Sequence, residues 1–216
     1  MPPDSGPFYA ETNWDNFFKE PWNGVTAFAF FLIAIVWMVR LRKDASRHRF
    51  TMACLALLLI GGVGGTIFHL FRASRFFLVM DFLPIILIAV ALSFRLWHRF
   101  AGSWLPAIFA SLVFFFLQRG IRMVFPFRFG INLSYLLTAL YIAVPLVLVL
   151  RRDRWREAKT VGAAAGFFVV GLFFRASDLT SPEWLPMGTH WLWHLFSAAG
   201  VWFLITYLVE LESRKA

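Results

Sequence analysis

Seven apolar runs, separated by short segments that carry nearly all the charge, leave few folds open to this chain. The runs are Trp22–Val39, Thr51–Phe71, Phe76–Phe94, Ala101–Leu117, Ile131–Leu150, Val161–Phe174 and His190–Val209. A helix needs about 20 mostly apolar residues to cross about 30 Å of hydrocarbon, and most of the runs come close. The sixth is short, and its GAAAG stretch (Gly162–Gly166) predicts close backbone packing against a neighbouring helix. Hydrophobic residues make up 60% of the chain and charged ones 15%. A soluble domain is about half apolar and about a quarter charged, and one soluble core of this size cannot hide the surplus. Lipid can. The expected fold class is an all-α integral membrane protein, a bundle of seven transmembrane helices. It forms a single domain over residues 1–216, with residues 1–20 as an extracytoplasmic segment before the first span. The opening MPPDSGPFYAETNWDN lacks the basic start and apolar stretch of a cleavable signal. The first run is therefore expected to act as the insertion signal.

A formal charge of +9 raises the question of nucleic acid, but the basic residues lie in short loops and not on one face. That pattern fits anionic headgroups and topology determinants, with no nucleic-acid partner. The 10 Trp and 27 Phe suit a lipid face and its headgroup belts. A single cysteine, Cys54, excludes an intrachain disulfide. The loops Arg40–Arg49, Arg95–Arg99 and Arg151–Lys159, with the C-terminus, hold 14 Lys and Arg. The opposite side holds 7: Lys19, Arg72, Arg75, Arg119, Arg122, Arg128 and Arg175. The positive-inside bias puts the N-terminus outside and the C-terminus in the cytoplasm. Arginines 119, 122 and 128 are expected at lipid phosphates, and a plasma or inner membrane is the expected location.

In that topology His69, His190 and His194 reach one depth in the outer leaflet, while His48 and His98 fall in cytoplasmic loops. His190 and His194 stand four apart in HWLWH, so both rings leave one helical face. With His69 they would form a three-histidine site with an open fourth position, the arrangement of catalytic zinc. Trp191 stands where the H-E-x-x-H proteases have glutamate, so any general base must come from elsewhere. Against this stands the plain reading of helix-end histidines hydrogen-bonded at the interface. Ionisable groups inside a membrane are costly and tend to be functional. Asp81, in VMDFLPIILIAV, is either a salt-bridge partner of Arg72 or Arg75 or a general base beside the metal. Asp178 either pairs locally with Arg175 or accepts the second N–H of a ligand histidine. Before the first span, Glu11, Asp15, Asn16, Glu20 and Asn23 form an oxygen-rich segment that is either solvated or a calcium site.

The set EPWNGVTAFAF (Glu20–Phe30), GGTIFHLF with DFLP (Gly64–Phe71, Asp81–Pro84) and FFRASD with GTHWLWHLF (Phe173–Asp178, Gly188–Phe196) resembles the alkaline ceramidases. Those enzymes belong to a wider group of seven-helix membrane hydrolases that includes the adiponectin receptors. The resemblance implies zinc on His69, His190 and His194, catalysis by Asp81, and hydrolysis of the N-acyl amide of ceramide or a related membrane lipid. It also implies calcium near Asp15, Asn16 and Glu20. Where the family carries a serine four residues before the first histidine, this chain has Gly65; Thr66 and Ser74 are nearby hydroxyls. The family's Asp-Trp-x-Glu motif appears as Asn13-Trp14-Asp15-Asn16, with a shorter run to Glu20.

The two functions this leaves are a zinc-dependent intramembrane amidase and a non-enzymatic, receptor-like lipid-binding protein with a structural metal. No inverted repeat or pair of broken helices suggests a transporter. The charge split also makes a direct prediction of orientation. A tag after the C-terminus should be protected from protease in intact cells, and one at Pro2 should be cleaved. The reverse pattern would place the histidines on the cytoplasmic side.

Overall fold

The computed structural model describes residues 6–214, so Pro2 and Lys215 lie outside it, as does the side chain of Arg128. The chain forms α1 (Pro21–Leu41), α2 (Arg49–Phe71), α3 (Arg75–Ala101), α4 (Leu105–Val124), α5 (Phe127–Arg152), α6 (Ala158–Ser177) and α7 (His190–Ser213). No strand occurs among the described residues. All seven helices are long and apolar enough to cross a membrane. Local chemistry accounts for their ends. Pro21 opens α1, where its fixed φ suits the first helical position and its missing N–H is no loss. Helix α2 stops where Arg72 turns left-handed and its N–H returns to the Phe68 carbonyl. Prolines lie inside α3 (Pro84) and α5 (Pro145) without ending either helix. Large apolar side chains face outward, Phe109 and Phe116 of α4 at 69% and 78% exposure. Water would penalise such a surface and hydrocarbon does not.

The chain divides into two compact units, one comprising residues 1–85 and 159–216, the other residues 86–158. In the first, α1 packs along α2 and α7. A Cβ on Gly62 of α2 would lie 2.5 Å from the Phe31 nitrogen of α1. Only glycine admits that approach, which brings the two backbones into the close contact typical of membrane helices. At the far end of the same unit, Glu212 of α7 accepts hydrogen bonds from the Thr51 N–H (3.2 Å) and hydroxyl (2.6 Å). A carboxylate from another helix thus caps the first turn of α2, favourable against its N-terminal dipole. In the second unit, Tyr141 pairs its hydroxyl with Ser111 at 2.5 Å, and Arg99 meets Asp153 at 3.0 Å.

The short sixth run lies within a 20-residue helix, because α6 also takes in Ala158–Thr160 and Arg175–Ser177. The close backbone packing expected of its GAAAG stretch is present but does not come through the glycines: a Cβ on Gly200 of α7 would lie 3.1 Å from the Ala164 carbonyl, whereas a Cβ on Gly162 or Gly166 would meet nothing within 4 Å. Further along α6, Gly171 approaches Ser197 and Trp193.

These contacts separate two glycines of similar appearance. Gly62→Ala should lower stability by about 1–3 kcal/mol, the usual cost of overpacking. Gly120→Ala, with nothing near its added methyl, should leave stability unchanged or raise it by up to about 1 kcal/mol. Unfolding midpoints in detergent test the difference, and equal midpoints would refute the α1–α2 contact.

Candidate metal centre

His69 occupies the last turn of α2, and His190 and His194 the first two turns of α7. All three are buried. Their ring centroids are 4.9 Å (69–194), 5.4 Å (69–190) and 4.7 Å (190–194) apart. One ring nitrogen from each lies within 4.8 Å of the other two, so the three can hold a metal ion. Two ligands about 2.05 Å from a tetrahedral zinc are about 3.3 Å apart, within that 4.8 Å limit.

The neighbours of the rings set their tautomers. Glu20 Oε2 lies 2.5 Å from His69 Nδ1. Thr26 donates its hydroxyl proton to the Trp22 carbonyl at 2.7 Å and accepts from His194 Nδ1 at 3.1 Å. With both Nδ1 protons so engaged, the Nε2 lone pairs of His69 and His194 are left for a ligand bond, as at metal sites whose histidines are oriented by a second partner. His69 Nε2 and His190 Nδ1 are buried with no hydrogen-bond partner. Such nitrogens carry a full desolvation penalty, and a bound cation would relieve it.

Glu20 is fully buried and serves several partners. Its Oε1 accepts from Thr12 Oγ1 and from the Arg72 guanidinium, both at 2.7 Å. Burial pushes the Glu20 carboxyl up, but His69, Arg72 and Thr12 together outweigh it and hold the group below the usual carboxylate range. The segment before α1 folds over the histidines. Tyr9 stacks on His190, with ring centroids 3.9 Å apart, and leans on His69 at 5.2 Å. Glu11 accepts from the backbone N–H groups of Trp22 (2.6 Å) and Asn23 (2.8 Å), and so caps α1. Burial pushes the Glu11 carboxyl up, against the opposing pull of those two N–H groups.

Asp81 stands over Gly65, one turn before His69 on α2. A Cβ on Gly65 would lie 2.6 Å from Asp81 Oδ1, so the carboxylate fills the notch left by the missing side chain. The expected alternative of an Arg72 salt bridge is corrected, because Arg72 binds Glu20. Asp178 fulfils neither expectation made for it. Its Oδ1 accepts from the backbone N–H groups of Thr189 (2.9 Å) and His190 (2.8 Å), capping α7, and its Oδ2 accepts from Ala10 N–H at 2.9 Å. Gly188, at φ 62, leaves room for that carboxylate. Asp178 therefore positions the backbone of a candidate ligand and not its ring. Thr66 donates to the Gly62 carbonyl of its own helix at 2.7 Å. His48 lies beside Glu212 at 3.9 Å and His98 stacks on Trp104 at 4.0 Å; neither joins the centre.

The residues expected to hold calcium do not fit the ion in this arrangement. Calcium takes six to eight oxygens. Asp15 and Asn16 are exposed, and Glu20 is buried with both oxygens engaged. The nearby carbonyls of Trp14 and Asn16 accept from Lys19 Nζ at 2.7 and 2.5 Å.

No protein-family model matches the chain, and no curated protein matches its sequence. The class rests on the molecule itself: seven apolar helices of membrane-spanning length, and three buried histidines that can hold a metal ion.

Metal analysis provides the test. Purified protein should carry about one zinc ion, as a three-histidine site predicts. The ion should be lost in His69→Ala, His190→Ala or His194→Ala and kept in His48→Ala and His98→Ala. Equal loss in all five would refute the assignment.

Proposed function

We propose that the protein is a zinc-dependent intramembrane amidase that hydrolyses the N-acyl bond of ceramide or a related lipid amide to a fatty acid and a long-chain amine. The observation that carries this reading is a carboxylate beside three candidate ligands. Asp81 reaches the notch at Gly65, one turn from His69, where its charge interacts with His69 and Arg175. The resemblance to the alkaline ceramidases supports the same assignment, and the apolar surfaces of the helices suit a substrate that arrives from the bilayer.

Zinc on His69, His190 and His194 would acidify a water toward pKa about 7 and polarise the amide carbonyl. The chain's own residues do the rest. Glu20 and Thr26 hold two of the imidazoles in one tautomer. The Asp81 carboxylate takes a proton as water attacks the carbonyl carbon, and returns a proton to the nitrogen as the C–N bond breaks. Water and amide are consumed, and acid and amine leave.

Gly65 favours a second reading, a receptor-like lipid-binding protein with a structural metal. It removes the hydroxyl that would face the carbonyl oxygen, and the Thr66 hydroxyl is turned to its own helix.

Asp81→Asn separates the two. Asparagine keeps the shape and cannot accept a proton at neutral pH. General acid–base groups contribute about 10²- to 10⁴-fold, or about 3–5 kcal/mol of barrier. The variant should keep its fold and zinc and lose fatty-acid release from N-acyl lipids by that factor. Release within about threefold of wild type would remove Asp81 from the chemistry. No release from either protein, with zinc bound in both, would favour the receptor-like reading.

A further inference from the structure

The cations that the N-terminal segment needs are already part of the chain. The Arg72 guanidinium is fully buried. It donates to Glu20 Oε1 at 2.7 Å and to the Pro7 carbonyl at 2.8 Å. It also lies over the rings of Phe68 (4.7 Å) and Trp14 (5.4 Å), where cation–π attraction adds to the hold. One side chain thus ties together the end of α2, the carboxylate that meets His69, and residues on both arms of the segment that carries Tyr9 across the histidines. Lys19 does the same for the loop, through the Trp14 and Asn16 carbonyls. Its own N–H also donates to the Leu70 carbonyl at 2.7 Å. Arg72, just past the end of α2, adopts φ 48, a left-handed conformation that costs a non-glycine residue energy.

We propose that Arg72 and Lys19 replace a bound calcium ion in holding the N-terminal segment over the three histidines, and that Arg72 is a positioning residue for His69 acting through Glu20. This rests on the metal reading of the histidines. Its physical basis is charge-assisted geometry. A guanidinium on one carboxylate oxygen fixes the other against Nδ1, which sets the ring's tautomer and orientation before any metal arrives. A calcium ion at the same carboxylate would have to displace a buried, hydrogen-bonded cation.

Zinc affinity, read by competition with a chromophoric chelator on the purified full chain, tests this without an activity assay. Losing such an outer partner typically weakens metal binding about 10- to 100-fold, and that loss is expected of Arg72→Gln and of Glu20→Gln. Because Arg72 acts through Glu20, the double variant should bind no more weakly than Glu20→Gln alone. Calcium at about 5 mM, above the range of weak calcium modules, should change neither the zinc affinity nor the unfolding midpoint of the wild type. If Arg72→Gln does not fold, Arg72→Lys, which keeps the charge and loses the planar fork, takes its place under the same criterion. Three results would each overturn the proposal: zinc affinity of the Arg72 variant within about threefold of wild type, additive losses in the double variant, or a wild type tightened or stabilised by calcium. A wild type that binds no zinc would instead overturn the metal reading, and this inference with it.

Discussion

A carboxylate buried at the start of an apolar helix must find cations or donors, and Glu20 finds them in two separate stretches of chain. It meets His69 at the end of α2, Arg72 just beyond it, and Thr12 in the segment before α1. An unpaired charge at this depth would be costly, so the contacts are mutually dependent. Without Glu20, the buried guanidinium would lose the carboxylate it meets at 2.7 Å. Without Arg72, the carboxylate would rely on neutral partners and an imidazole. The position of Tyr9 over the histidines depends on the same tie, since Arg72 also holds the Pro7 carbonyl.

Close packing of α1 on α2 makes this arrangement possible. Gly62 lets α2 approach the α1 backbone, which brings Glu20, Asn23 and Thr26 to the rings of His69 and His194. Gly65, one turn on, admits the Asp81 carboxylate. In both places the missing side chain is what lets a functional group come near. A serine at 65 would need the space that Asp81 Oδ1 now occupies, so that residue and this placement of Asp81 exclude each other.

Much of this is legible in the residues. Uninterrupted apolar runs fix the helices, because lipid leaves the backbone few other ways to satisfy its polar groups. The i, i+4 spacing of His190 and His194 announces a shared face, and the topology brings His69 to them. Polar groups at helix ends are harder to read. Glu20, Asn23 and Thr26 recur every three residues at the start of the first run, the pattern of one helical face. The acidic residues before the span nevertheless point locally to calcium. Local sequence gives no sign that Arg72 takes a Glu20 oxygen, since the two are 52 residues apart. Asp178 was similarly opaque. Its nearest cation in sequence is Arg175, but the N–H groups at the start of α7 are stronger claimants because no helical carbonyl can serve them. The glycines of the GAAAG stretch look like a packing face by composition alone, and which small residues meet a neighbour depends on helix rotation.

The Glu212–Thr51 cap gives α7 a second anchor on α2. One tie joins the two helices at the histidines and the other near their opposite ends, about 30 Å away at 1.5 Å per residue. A rod pinned at one point can swivel; a rod pinned at two cannot. Slipping α7 by a single residue would turn it about 100° and shift it about 1.5 Å, breaking the carboxylate cap as surely as it misaligned the imidazoles. The bite of the three nitrogens is therefore a question of helix register, enforced from the opposite end of the helix.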